Sequence, residues 1–330
     1  MPEFERLPDL LQEIAEGYSL SALRSAADDL SKRYRTAERN GRNLVLNETE
    51  AAAYAVARMP ATLAACNAVF KEFKDRLHQS EFSSLLDIGA GTGGATLAAL
   101  QKLSFKRVCC IERERSMLNI GKRLTSEIAA DMAEINWICS DFTRNFEELP
   151  QADVVVAAYA LNELSRDMRA DAINRLFNLS SKAFLLIESG TPMGHQLLRE
   201  AAELLKGKGG YVIAPCPSVG RCPLPAEDWC HFTVRVQRSR THRLLKGGDA
   251  PFEDEKFSYL LVSREPIEPV GGRVLRHPKI YSGRVELKLC TKEGILLKSC
   301  TCSQKAAFKA ARKASSGDSF ECFNNCGAEE

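Results

Sequence analysis

Ser84-Leu85-Leu86-Asp87-Ile88-Gly89-Ala90-Gly91-Thr92-Gly93-Gly94 is an apolar run that passes directly into a glycine-rich turn. Residues 95–103 follow with apolar side chains at helical spacing. Glycine lets backbone come close to a ligand, and the start of a helix aims unpaired N–H groups at it. Strand, glycine turn and helix in this order predict the nucleotide-binding end of an open α/β sheet.

The same alternation continues downstream. Apolar runs at 107–112, 135–139, 153–158 and 183–188 predict strands. Amphipathic stretches at 116–130, 166–176 and 194–205 predict helices. Continuous apolar strands alternating with helices imply a parallel sheet covered on both faces. Residues 211–214 and 257–262 are expected to close it as strands six and seven. Upstream, residues 1–80 read as helices. Asn47 with Glu50 three residues on predicts a capped helix start, and Pro60 is expected to break or kink that helix. Beyond Pro266, Val274, Ile280, Val285, Leu287 and Leu289 suggest a small β unit. A basic helix over 305–313 and a mobile tail follow it. The fold class is therefore α/β: a Rossmann-like sheet, which the Asp87–Gly93 turn makes resemble that of a class I methyltransferase, with an N-terminal helical cap and a small C-terminal β-rich unit. The boundaries fall at 1–80, 81–265 with a cysteine-rich insertion at 215–256, and 266–330.

Bulk properties narrow the function classes. At ~150 residues per domain, 330 residues make two or three units. A net charge of +2 means that any nucleic-acid contact must rest on local patches. No run reaches the roughly 18 apolar residues of a membrane helix. The N-terminus is acidic and amphipathic, without the pattern of a secretory signal or an Arg-rich transit peptide. A cytoplasmic protein is the expectation. Twelve cysteines in a reducing compartment point to metal or redox chemistry more than to disulfides.

Three acids mark the cofactor. Asp87 opens the turn that carries Gly89, Gly91 and Gly93. Glu112 ends the second strand, where a carboxylate accepts hydrogen bonds from ribose hydroxyls. A nicotinamide dinucleotide would use Glu112 equally. Asp-x-Gly-x-Gly-x-Gly looks like the methyltransferase form, so the expected donor is S-adenosylmethionine. Asp141, after the third strand, is in such enzymes an adenine contact; its bland reading is a helix cap. Asn162 and Glu163 stand at the carboxyl end of the fourth strand, where open sheets bind ligands. They are site-lining candidates; the Pro-Pro-aromatic signature of amino-directed methyltransferases is missing, and no catalytic residue is assigned.

Cys216, Cys222 and Cys230 lie in a polar loop rich in proline, with His231 directly after. Thiolates suit zinc or an iron–sulfur cluster, and both usually take four ligands. Adjacent residues rarely reach one metal without strain, so Cys290 is preferred over His231 as the fourth. Spacing leaves cluster and zinc both open. The Pro215-Cys216 and Thr301-Cys302 pairs resemble those of RNA cytosine-5 methyltransferases, but they stand at the wrong strands. Cys300, Cys302, Cys322 and Cys326 form a second group, read as part of an idiosyncratic tail. Cys66, Cys109, Cys110 and Cys139 read as core.

Together with Leu30-Ser31-x-x-Tyr34-Arg35, Tyr54-x-x-x-Arg58-x-Pro60-Ala61-Thr62, Leu161-Asn162-Glu163-Leu164 and residues 309–314, these motifs resemble the methyltransferase-like protein family of the mitochondrial small ribosomal subunit, which has bacterial members. The likeness covers roughly residues 20–320. It implies a [4Fe–4S] cluster on Cys216, Cys222, Cys230 and Cys290. It also implies association with small-subunit ribosomal RNA during assembly, and a methyltransferase fold with or without catalysis. The second cysteine group and Ser315-Ser316 depart from the family pattern. Separately, His231, Arg235, Arg238, Arg240, His242, Arg243 and Lys246, then Arg273, Arg276, Lys279, Arg284, Lys288 and the 305–313 helix, supply a basic surface for phosphates. The competing functions are an rRNA methyltransferase, a non-catalytic assembly factor, and a small-molecule methyltransferase with structural zinc.

Overall fold

The structure, a computed structural model, describes residues 2–36, 44–78, 80–217 and 220–320. It divides into two compact units: Met1–Glu188 with Val234–Glu255, and Ser189–Thr233 with Lys256–Glu330. The cuts fall elsewhere than the boundaries read from composition, because the cysteine-rich insertion is shared between the two units.

Unit one begins with helices α1 (Leu7–Glu16), α2 (Leu20–Thr36), α3 (Glu48–Ala57) and α4 (Met59–Arg76). The α3 start is a reciprocal cap. Asn47 Oδ1 accepts the Glu50 N–H at 2.9 Å, and Glu50 Oε2 accepts the Leu46 N–H at 2.8 Å. Such caps satisfy donors that the first turn leaves free. Pro60 sits in the first turn of α4, where its missing N–H costs nothing, so the expected break becomes the joint between two helices. Phe70 and Phe73 of α4 are fully buried, each worth about 1.5–3 kcal/mol of transfer free energy.

Next come β1 (Ser84–Ile88), α5 (Gly94–Lys102), β2 (Arg107–Glu112), α6 (Arg115–Ala129), β3 (Glu134–Cys139), β4 (Ala152–Ala158), α7 (Arg166–Leu179) and β5 (Ser180–Ser189). Neighbouring strands run parallel in the order β3-β2-β1-β4-β5. The order reverses between β1 and β4, which sets the ligand crevice outside their carboxyl ends. Central β1 and β4 are almost wholly buried, whereas edge β3 is half-exposed. Cys66 and Cys110 are core, as the sequence suggests, but Cys139 is exposed because it ends that edge strand. This is the class I methyltransferase-like sheet.

Unit two holds α8 (Pro192–Lys206) and β6 (Tyr211–Ala214). The insertion is more ordered than its composition suggests: β7 (Phe232–Gln237) begins in unit two and ends in unit one, α9 (Arg240–Lys246) belongs to unit one, and β8 (Phe252–Ser263) returns to unit two. β8 runs antiparallel to β6, with Tyr211 opposite Ser263. The small β unit is an antiparallel sheet of β9 (Gly272–Val274), β10 (Lys279–Tyr281), β11 (Arg284–Thr291) and β12 (Gly294–Thr301), followed by α10 (Lys305–Lys313). Val285, Leu287 and Leu289 alternate inward from β11 and meet Val274, Cys300, and Ala307 and Ala311 of α10. Cys300 is thus packing and Cys302 is exposed, while Cys322 and Cys326 lie outside the described residues. Among the described residues no helix is long and apolar enough to cross a membrane.

Candidate ligand sites at the glycine turn and the cysteine cavity

Gly89, Gly91 and Gly93 all hold positive φ. A Cβ on Gly89 would also lie 2.7 Å from the Ala160 Cβ, so no other residue fits there. Asp87 is 1% exposed. Its Oδ2 accepts from Thr96 Oγ1 at 2.7 Å, and its Oδ1 has no hydrogen-bond partner. Burial pushes this carboxyl up to about 7 against the Thr96 bonds.

Glu112 is turned onto the loop itself. Its Oε2 accepts the Gly91 N–H and its Oε1 the Glu114 N–H, both at 2.8 Å. Asp141 also serves its own turn, with Oδ1 accepting from the Thr143 N–H at 3.0 Å and from Thr143 Oγ1 at 2.6 Å. These bonds close a turn and cap no helix, the next helical turn starting only at Phe146.

At the end of β4, Asn162 is held by Glu188. Its N–H donates to Glu188 Oε1 at 3.2 Å and its Nδ2 to Oε2 at 2.8 Å. Nδ2 also donates to the Tyr159 carbonyl at 3.0 Å. Tyr159 has φ of 59°, strain for a bulky residue, and these bonds fix it. Its hydroxyl donates to Glu255 Oε1 at 3.3 Å. Glu163 pairs with Arg113 at 3.1 Å, yet burial pushes its carboxyl up to about 8. Tyr159, Glu188 and Glu255 were not foreseen from the sequence. For Tyr159 no local signal exists, since its backbone state is imposed by partners far along the chain.

The cavity at the turn is about 20 Å³, lined by Tyr54, Thr62, Asp87, Gly89, Gly91 and Ala158 among others. That is room for one water, while nucleoside-sized ligands take roughly 300 Å³ or more. The donor's chemical partners are present: the buried Asp87 Oδ1 has no protein partner, and the Gly89 cradle admits no side chain.

In unit two, Cys216, Cys222, Cys230 and Cys290 are all free thiols lining one cavity of about 1000 Å³. Cys222 and Cys230 pack against Cys290 beside Leu224, Leu275 and Ile295. Burial pushes the thiols of Cys216 and Cys290 up to about 11 and about 12, and it also raises that of Cys230 well above the ordinary thiol range. Their neighbouring sulfurs push the same way, as convergent negative charge must. Among the described residues no three His, Cys, Asp or Glu side chains are grouped to hold a single metal ion. His231 does not line the cavity; its ring lies 5.5 Å from that of Trp229. Asp228, which the sequence did not single out, pairs with Lys288 at 2.7 Å and with Arg276. These bonds pin the loop to the β9–β11 region.

Several expected phosphate contacts are spent internally. Arg273 and His242 are 1% exposed. Arg276 and Lys288 are paired to Asp228, and Arg238 and Lys246 to Glu253. Basic residues fold inward where a carboxylate or carbonyl awaits them, and a charge run alone does not reveal that. Lys279, Arg284, Lys305, Lys309, Arg312 and Lys313 remain exposed.

A parallel sheet in the order β3-β2-β1-β4-β5, with a glycine turn at its switch point, has the methyltransferase-like fold. The chain belongs to the family described as mitochondrial small ribosomal subunit Rsm22, whose model matches residues 48–321. It is 29% identical over 289 residues to the human mitochondrial ribosome assembly protein METTL17, covering 80% of this chain and 61% of that protein. It is 23% identical over 215 residues to the Schizosaccharomyces pombe mitochondrial Rsm22-cox11 tandem protein 2, covering 51% of this chain and 29% of that one. The chain thus spans at most about three fifths of these relatives. Solved structures similar to it include the magnesium protoporphyrin IX methyltransferase of Synechocystis with bound SAM (13% identity, TM-score 0.42, 71% of this chain and 91% of that one). Another is a putative RNA methyltransferase from Pyrococcus horikoshii (14%, 0.38, 60% and 80%).

Proposed function

We propose that this chain is a small-ribosomal-subunit assembly protein that contacts rRNA through its C-terminal unit and carries a [4Fe–4S] cluster on Cys216, Cys222, Cys230 and Cys290. The observation that carries the reading is that those four thiols line one cavity. The donor set is all sulfur, which suits iron–sulfur or zinc. The family likeness favours the cluster, and a cavity of about 1000 Å³ has room for it. Cys216, Cys222 and Cys230 of the loop and Cys290 of β11 would hold the cluster and so tie these two elements together. Asp228, Arg276 and Lys288 hold the same two elements together beside it.

Phosphate contact falls to the exposed cations of β10, β11 and α10. Arg284 lies over the Tyr281 ring at 4.9 Å, a pair that offers charge and a stacking face together. The methyltransferase-like sheet serves in this reading as a scaffold. The role is tested by purifying the tagged chain and sequencing bound RNA. Enrichment of small-subunit rRNA is expected; RNA indistinguishable from the lysate would reject it.

A second reading, S-adenosylmethionine-dependent methylation of rRNA, is favoured by one observation, the buried Asp87 Oδ1 without a partner at the turn. Loss of an rRNA methyl mark in cells carrying Asp87→Ala would establish it, and an unchanged set of marks would exclude it.

A further inference from the structure

Arg273 is the most unexpected side chain of unit two. It is a guanidinium at 1% exposure, among the largest fully buried side chains of the molecule. It stands opposite Cys290 in the β9–β11 register. Residues directly opposite on antiparallel strands put their side chains on the same face. Its Nε donates to the Pro215 carbonyl at 3.0 Å, one residue before Cys216. Its Nη1 donates to the Gly317 carbonyl at 2.7 Å. It lines the same cavity as the four cysteines.

We propose that Arg273 is the built-in counter-charge of the cysteine site, a positioning residue that offsets the negative charge of four metal-bound thiolates and thereby raises cluster retention and reduction potential. The inference rests on the cluster reading above and deepens it. The physical reason is direct. Four thiolates brought into a half-buried cavity repel one another, and each costs desolvation. A guanidinium stays protonated at any working pH, so its compensation is permanent. Adding one electron to the cluster adds negative charge beside Arg273, so the cation favours the reduced form. Its bond to the Pro215 carbonyl also fixes the backbone from which Cys216 projects.

The test compares Arg273→Gln with Arg273→Lys in the full chain, purified without oxygen. Iron and sulfide are assayed, and the cluster is titrated with dithionite as electron donor under electron paramagnetic resonance. Arg273→Gln is expected to lose iron to a chelator several-fold faster and to show a more negative midpoint potential. Arg273→Lys, which keeps the charge, is expected to stay close to wild type in both. Wild-type potential and retention in Arg273→Gln would overturn the proposal. So would a folded Arg273→Lys chain, judged by circular dichroism, that loses iron as Gln does, since the residue would then be only a hydrogen-bonding clamp. If Arg273→Gln does not fold, Arg273→Lys decides alone: wild-type potential supports the counter-charge and a clear negative shift refutes it. Wild-type protein without iron would instead reject the cluster reading, a different failure.

Discussion

Glu112 Oε2 accepts the Gly91 N–H at 2.8 Å, which latches the end of β2 to the glycine turn of β1. The same carboxylate takes the Glu114 N–H with its other oxygen. Each oxygen keeps a lone pair for a further donor, so the latch is compatible with a ribose contact. Glu112→Ala should cost about 2–4 kcal/mol in denaturant unfolding, since two amides lose a charged acceptor.

Asn162 and Glu188 form the second clasp, with both Glu188 oxygens engaged. Glu188 is 1% exposed, so Asn162→Ala removes the side-chain amide from a buried carboxylate. A loss of about 2–3 kcal/mol is expected. Asn162→Asp should be worse, and worse still at high pH, because it sets two carboxylates together. Thermal melts of both variants across pH check this, and equal melting points would count against it.

The pH dependence follows from Asp87 and Glu163. Burial raises both carboxyls in the folded chain, to about 7 and about 8, above ordinary values of 3.8 and 4.5. The folded state then binds more protons than the unfolded one between those limits. Stability from these groups is fully present below about pH 4 and falls as pH rises toward 8. Asp87→Asn should flatten the lower part of this slope and raise stability at pH 8, by up to a few kcal/mol. Denaturant midpoints at pH 5 and 8 test it; a wild-type midpoint that rises with pH through this window would have the wrong sign.

Lys305, Lys309, Arg312 and Lys313 stand exposed on α10, while Ala307 and Ala311 face the small sheet. Changing Lys309 and Lys313 to Gln should leave the fold intact and weaken binding to small-subunit rRNA fragments. The slope of log affinity against log salt should drop by about one per lost phosphate contact. An unchanged slope would place the RNA elsewhere.

The sheet was legible because its signals are local: glycines at fixed offsets, apolar runs of strand length, and Asn47 with Glu50 at a helix start. The four cysteines that line one cavity could be picked out together because three stand in one polar loop rich in proline and the fourth in the small β unit that follows. What escaped depends on who lies opposite whom. Arg273 read as one more surface cation until the β9–β11 register set it beside Cys290. Asn162 read as free to meet a ligand until β5 brought Glu188 alongside. The fullness of the glycine turn is set by α4, where Thr62 Cγ2 lies 3.1 Å from where a Gly94 Cβ would stand. No local pattern reports that approach.

Metal analysis of the anaerobically purified chain bears most directly on the cysteine cavity. The protein should be brown, with iron and acid-labile sulfide in equal amounts, as a [4Fe–4S] cluster requires, and Cys290→Ser should lose most of both. Stoichiometric zinc without iron, or iron content indifferent to Cys290, would contradict the account.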